Sequence, residues 1–408
     1  MRRRPEDECV RGVEVSASVT QPHAAPIFLS SVYRCVDTQQ ADAIAEQRAE
    51  GFVYRRDAHP NATMLAHKCS SIHGAAWAHV TSSGMGALAA LLLAEMKAGE
   101  HLVASRQMYG RSLQLLETER VRGTCDYSLV DISNEDDVGA AMRENTRWVL
   151  AETISNPSLR VCDIRELADL AHRHQARLAI DNTFASPMLC RPLELGADVV
   201  WESASKIING HGDVILGWLC GTDETTHRQQ LGHRAELTSL SSNVAAAIST
   251  YGLASSPFDC WLALRGLATL PLRCERAVDN ARRAAEMLQG HAQVLTVLYP
   301  GLANHVDHPL AQRQFGGRGG YVVTFTLQGG RAAVDQFMRA AEKLPFCPSL
   351  GDVNSTVSHP MSTSHRQLNA AAQQSLGIDG GTIRLSLGTE SWDWLEEVLR
   401  AALENVSR

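Results

Sequence analysis

Short apolar runs, each ending at a polar or reactive residue and separated by helical stretches, set the strongest limit on how this chain can fold. Trp77-Ala-His-Val80, His101-Leu-Val-Ala104, Trp148-Val-Leu-Ala151, Arg177-Leu-Ala-Ile180 and Asp198-Val-Val-Trp201 read as strands, and segments such as 87–97 and 164–174 read as helices between them. Strands that alternate with helices build a mostly parallel sheet covered on both faces, and ligands bind beyond the carboxyl ends of such strands. The polar residues that close these runs are where chemistry is expected.

The flanking regions read differently. Residues 1–60 mix polar and turn residues, as in Gln21-Pro-His-Ala-Ala-Pro26, and suggest an irregular arm with one helix near 39–50. A second unit begins near Ser256-Pro-Phe-Asp259. Its helix carries Leu262, Leu264, Leu267 and Leu270 and is broken at Pro271, and a helix over 276–289 follows. Beyond these come strands over 321–327 and 382–387 and helices over 331–344 and 392–406, an α+β arrangement. The expected organisation is an arm (1–60), a large α/β domain (61–258) and a smaller C-terminal α+β domain (259–408).

Charge and composition narrow the function. With 38 Lys+Arg against 45 Asp+Glu among 408 residues, the net charge of -7 gives no electrostatic reason to expect nucleic acid or an anionic membrane as partner. The longest apolar run, Ala87 to Ala94, is too short to span a bilayer, and no apolar stretch follows the basic N-terminus, so a cytoplasmic protein is expected. The ten cysteines are too widely spaced for a zinc-type C-x-x-C or a dense disulfide framework; they read as small buried hydrophobes, and no metal is expected. His305-Val-Asp-His308 has metal-ligand spacing but lies in a turn-rich stretch.

The most informative segment is Trp201-Glu-Ser-Ala-Ser-Lys-Ile-Ile-Asn-Gly-His-Gly-Asp213. Lys206, framed by Ser203 and Ser205, reads either as a surface lysine beside capping serines or as a desolvated amine that condenses with a carbonyl, with hydroxyls nearby to hold a phosphate. Asp181, at the end of an apolar run, is either a turn former or the buried carboxylate that keeps a pyridine nitrogen protonated. Thr81-Ser-Ser-Gly-Met-Gly-Ala87 opens a helix with small residues, as an anion site does. Tyr109 either packs or stacks on a planar cofactor.

Together these residues, with Tyr54-Arg-Arg56, Ser83-Gly-Met85, Tyr109-Gly110, Glu152, Asn156-Pro157, Arg265-Gly-Leu-Ala-Thr-Leu270, Ser349-Leu-Gly-Asp352, His359-Pro360 and Ile383-Arg-Leu-Ser-Leu-Gly388, resemble the Cys/Met-metabolism family of pyridoxal-phosphate enzymes from about residue 20 to 400. That family includes cystathionine γ-synthase, cystathionine γ-lyase, methionine γ-lyase and the homoserine-ester sulfhydrylases. The resemblance implies a fold-type I, aminotransferase-like architecture and a homotetramer built from two dimers with shared active sites. It implies pyridoxal 5'-phosphate on Lys206, which then moves protons, with Asp181 at the pyridinium nitrogen. Tyr109 would stack on the ring and serve as acid or base at the leaving group. Ser83, Gly84, Met85, Ser203 and Ser205 form the phosphate site, with Tyr54 and Arg56 reaching in from a neighbouring subunit. Asn156 lies near the ring hydroxyl, and Ser349 and Arg384 grip the substrate carboxylate.

The family pattern is broken at several points. His59-Pro-Asn61 replaces the usual Asn-Pro-Thr, Arg111 a glycine, Glu202 a histidine and Ser205 a threonine. Asn354 replaces a glutamate and removes a negative charge at the substrate's distal end. His359-Pro-Met-Ser-Thr-Ser-His365-Arg-Gln-Leu368 is similar to the sulfhydrylase branch, and Gly210-His-Gly-Asp213 to the lyase and synthase branch. Arg111 is either solvated, or binds an acidic or polar γ-substituent, or replaces a partner-subunit contact. The expected activity is γ-elimination or γ-replacement on a homoserine- or methionine-derived amino acid. An O-acetyl- or O-succinylhomoserine sulfhydrylase is the near alternative, and a catalytically degenerate binding or regulatory subunit is the distant one.

Overall fold

The computed structural model describes residues 4–11, 22–46, 48–222, 239–366, 373–374 and 376–406. Seven strands form the larger sheet: β1 (Trp77–Thr81), β2 (His101–Ser105), β3 (Asp126–Val130), β4 (Thr146–Glu152), β5 (Arg177–Asp181), β6 (Val199–Glu202) and β7 (Gly217–Gly221). Their spatial order is β1-β7-β6-β5-β4-β2-β3, and every pairing is parallel except those of β7. The five strands read from sequence are all present, each reaching one residue further at its carboxyl end. β3 and β7 carry weaker signals: β3 is an edge strand that begins at exposed Asp126, and β7 is bracketed by Gly217 and Gly221.

Side chains alternate between two buried layers, the period-two signature of a sheet covered on both faces. Leu102, Trp148, Leu150, Val199 and Trp201 join the layer under the helices Gly84–Glu95 and Leu240–Tyr251. Val103, Val149, Ala151 and Val200 join the other, under the helices Pro60–His73 and Ile164–Arg173. The second of these helices buries Ile164, Leu167, Ala168 and Ala171, spaced as one helical face, and Asp163 caps it by accepting from the Glu166 N–H.

The second sheet is antiparallel, with order β10-β11-β9-β8: β8 (Val294–Leu298), β9 (Val322–Leu327), β10 (Thr356–Ser358) and β11 (Thr382–Ser386). The helices Gly330–Ala340 and Trp392–Glu404 bury Phe337, Leu395 and Leu399 in the cluster that includes Phe325 and Leu385. The break expected at Pro271 falls earlier, at Ala268 and Thr269. Pro271 occupies the first turn of the helix Leu270–Gln289, where its missing N–H costs no intrahelical bond. The arm's helix, Thr38–Ala45, stops short of the expected Glu50. Among the described residues no helix is long and apolar enough to cross a membrane.

Candidate active site

Parallel strands deliver their carboxyl ends to one rim, and the reactive residues sit there. β1 leads into Ser83, β2 into Tyr109, β4 ends at Glu152, β5 at Asp181, and β6 leads into Ser203 and Lys206. Glu152 and Asp181 are register partners, as are Asp181 and Trp201. Arg384 projects from β11, and Ser349 precedes β10. All these residues contribute to the wall of one cavity of about 1120 Å³, together with Gly84, Met85, Asn156 and Ser205.

The Lys206 amine lies 3.3 Å from Ser349 Oγ. Burial, and then the nearby Arg384 guanidinium, push its proton affinity below that of an ordinary lysine. The turn after Lys206 is clamped by the buried Arg273, whose guanidinium donates to the carbonyls of Ile207, Ile208 and Gly266 at 2.6, 2.9 and 2.8 Å. Sequence reading did not assign Arg273 a part. Its signal in the sequence is a cation on a helical face that is otherwise apolar but for Asn280.

Asp181 Oδ1 accepts from the Thr183 N–H and hydroxyl at 3.0 and 2.5 Å, which fixes the carboxyl's orientation. Burial, with a smaller push from Glu202, raises its pKa to about 6 against those two bonds. Glu152 is also pushed well up, first by burial and then by Asp181; its Oε1 accepts from the Tyr109 N–H at 2.6 Å, while its Oε2 is buried without a partner. A cation brought between these carboxyls would lower both.

Ser83 forms the N-cap of the helix Gly84–Glu95, its side chain taking the Gly86 N–H at 2.9 Å and its carbonyl the Ala87 N–H. The first-turn amides of Gly84 and Met85 remain for an incoming anion. A Cβ on Gly84 would meet Ser203 Cβ at 2.7 Å, and one on Gly217 would meet the Ser83 carbonyl oxygen at 2.2 Å. Glycine is therefore required for β7 and the Ser203 turn to approach this helix start. Ser205 does not offer a free hydroxyl. Its Oγ donates to the Leu216 carbonyl and accepts the Leu216 N–H, at 3.1 and 2.9 Å.

Arg384 is buried, with Nη1 donating to Asn156 Oδ1 and Nη2 to the Ser349 carbonyl, both at 2.9 Å. Its Nε is buried without a partner. Burial lowers its pKa to about 10, which leaves it charged at neutral pH. The segment Ser362–Arg366 closes one side of the cavity, and burial and Arg384 hold His365 down at about 4. Gln367 and Leu368 of that motif lie outside the described residues.

Other sequence candidates are placed elsewhere. Tyr54 and Arg56 are exposed and away from the cavity wall, with the Arg56 guanidinium 4.8 Å from the Tyr54 ring centroid. Asn354 is exposed and also outside that wall, its backbone N–H and side-chain amide donating to Asp352 Oδ1. Arg111 does line the cavity, exposed, donating to Gln114 Oε1 at 2.7 Å. Glu202 turns away from it. The Glu202 carboxylate accepts from Trp218 Nε1 and from Asn182 Nδ2, and lies 3.1 Å from His73 Nε2. His73, 129 residues distant, carried no signal in the sequence.

Comparison with known proteins agrees with this arrangement. Residues 7–404 match the family described as Cys/Met metabolism PLP-dependent enzyme. The chain is 33% identical to the L-methionine γ-lyase of Porphyromonas gingivalis over 94% of this chain and 93% of that one. It superposes with a TM-score of 0.90 on cystathionine γ-synthase from Xanthomonas oryzae in complex with cystathionine, 34% identical and covering 98% of both chains. A putative O-acetylhomoserine (thiol)-lyase from Campylobacter jejuni, 26% identical with a TM-score of 0.93, covers 98% of this chain and 100% of its own, and carries a pyridoxyl-lysine monophosphate. With a match across nearly its whole length, the chain belongs to the Cys/Met-metabolism family of PLP-dependent enzymes, those of transsulfuration type.

Proposed function

We propose that the chain holds pyridoxal 5'-phosphate on Lys206 and uses it for γ-elimination or γ-replacement on a homoserine- or methionine-derived amino acid. The observation that carries this reading is the convergence of Lys206, Asp181, Ser349 and Arg384 on one cavity beside a helix start free to take an anion. The residues fit the cofactor on three counts: a close-packed glycine cradle at Gly84, two carboxyls whose raised pKa values await a cation, and a desolvated lysine. Gly84, Met85, Ser83 and Ser203 would hold the phosphate, Asp181 the pyridine nitrogen, Asn156 the ring hydroxyl and Tyr109 one ring face. Ser205 supports the turn through Leu216. When bound, the cofactor supplies an electron sink that acidifies the substrate's α- and then β-carbon.

The chain's own residues do the rest. Arg384, with one guanidinium edge already held by Asn156 and Ser349, offers the unpaired Nε–H to the substrate carboxylate. That contact orients the α-hydrogen. Lys206 Nζ, its proton affinity lowered by burial, can accept the α-proton as a neutral amine and move the β-proton next. Tyr109 Oη is the group for protonating the departing γ-substituent. Arg111 is the wall residue for a polar γ-substituent.

Exposed Tyr54 and Arg56, outside their own chain's cavity, suit a role in a partner's phosphate site, and residues 1–60 then form the arm of a homotetramer. Residues 61–258 form the cofactor domain in this reading and 259–408 the small domain. The test is a panel of methionine, cystathionine and homoserine esters given to cofactor-loaded enzyme with and without a thiol, with products identified by mass. 2-Oxobutyrate without thiol supports γ-elimination, and a new thioether only with thiol supports replacement. No turnover, or no uptake of the cofactor, refutes the reading.

A further inference from the structure

Behind the cofactor cavity, three metal-ligating side chains come together in the dry core. Cys69 and His73 lie one turn apart on the helix Pro60–His73, and Cys220 faces them from β7; all three are 0% exposed. One ligand atom from each lies within 4.8 Å of the other two, the only such group among the described residues. Cys69 and Cys220 stand 151 positions apart, so no spacing in the sequence could reveal them.

Two further observations bear on what the cluster is for. His73 Nε2 is engaged with Glu202, which is itself fixed by Trp218 and Asn182. A carboxylate on one imidazole nitrogen is the arrangement that orients a histidine for metal binding through the other. That other nitrogen, Nδ1, is wholly buried and has no hydrogen-bond partner. An unpaired polar atom in a dry core is costly, and a cation on its lone pair would remove the cost.

We propose that Cys69, His73 and Cys220 form a binding site for a thiolate-preferring divalent cation of the zinc class. Two thiolates and a neutral imidazole would balance the divalent charge, while the Glu202 carboxylate stays paired with His73 Nε2, Trp218 Nε1 and Asn182 Nδ2. Tetrahedral zinc would draw the ligand atoms to roughly 3.5–3.8 Å apart, a contraction of about 1 Å from the upper limit here. Binding requires Cys69 and Cys220 as thiolates and His73 Nδ1 without its proton, so it releases protons, and the buried position means that the ion enters during folding. The fourth ligand would be a water carried in with the ion and enclosed beside it.

The test uses cofactor-loaded protein produced with added zinc and exchanged against a weak chelator, its metal counted by elemental mass spectrometry. One zinc per chain is expected in the wild type, and a loss of at least about tenfold in Cys69→Ala and in Cys220→Ala with cofactor content unchanged. Cobalt-substituted wild type should show a thiolate-to-cobalt charge-transfer band that both variants lack. Wild type free of zinc, or variants that keep the wild-type count, would overturn the proposal. So would an intact mass two hydrogens light under denaturing conditions, the sign of a Cys69–Cys220 disulfide. If neither variant folds, the wild-type zinc count and cobalt spectrum decide alone.

Discussion

Replacing Arg384 with lysine tests the carboxylate grip while keeping the charge. The native guanidinium makes two 2.9 Å bonds to Asn156 Oδ1 and the Ser349 carbonyl and keeps Nε free. A lysine ammonium at the end of a single stem cannot satisfy both partners and also present a third, fixed N–H to the substrate. The variant therefore forfeits one charge-assisted bond to substrate, about 1.5–3 kcal/mol. That corresponds to a fall in kcat/KM of about 10- to 150-fold. The assay compares the natural amino acid with its decarboxylated amine on cofactor-loaded enzyme. The variant should lose most of the preference for the carboxylated substrate while loading cofactor normally. A loss under about threefold, or equal losses on both substrates, would refute the reasoning, because the arginine would then be acting on something other than the carboxylate.

Lys206→Ala should abolish the visible band of the lysine–cofactor linkage and reduce turnover to background, as checked by absorption and product mass. Gly84→Ala forces a Cβ to 2.7 Å from Ser203 Cβ, and overpacking of this kind costs about 1–3 kcal/mol. It should weaken cofactor affinity about 5- to 150-fold in a titration. Burial holds Asp181 at about 6 against its usual 3.8, so the folded protein grips this proton more tightly than the unfolded chain does. The contribution favours folding at acid pH and is lost as the pH rises from about 4 through about 6. Cofactor-free protein should lose melting temperature across that window, and Asp181→Asn should lose less. Glu202→Gln should cost about 3–5 kcal/mol in urea melts without reordering γ-substituent preference, and Arg111→Ala should do the reverse in a substrate panel.

The sheet was legible because its central strands are buried on both faces and so read as unbroken apolar runs. Two edge strands escaped for the matching reason: β3 exposes Asp126 and Leu129, and β8 is nowhere fully buried; the edge strand β1 was legible, and the buried β7 escaped because Gly217 and Gly221 bracket it. The residues proposed to hold the cofactor stand out in the sequence because they sit at strand ends, where a polar residue follows an apolar run. What stayed hidden were contacts across long separations. His73 with Glu202, Arg273 with Ile207 and Ile208, and Arg384 with Asn156 span 129, 65 to 66 and 228 positions, and no periodicity connects them. Asn354 shows the opposite failure. Motif position suggested proximity to the substrate, yet local turn chemistry with Asp352 holds its side chain at the surface.

The departures from the family pattern divide by where their side chains point. Glu202 is met from behind by His73, Trp218 and Asn182, so a buried carboxylate replaces an imidazole without leaving an unpaired charge. The Ser205 hydroxyl is spent on the Leu216 backbone, a bond that threonine could also make. His59 caps the helix Pro60–His73 by accepting the Ala62 N–H, as a turn residue would. These three changes act on the scaffold. Arg111, by contrast, is exposed and lines the cavity, donating to Gln114 Oε1. A cation there costs little while solvated and gains strength once a substrate excludes water, since the same charge interacts more strongly in a drier site. On the proposed function, discrimination between leaving groups falls to this wall, and the chemical step to the strand ends.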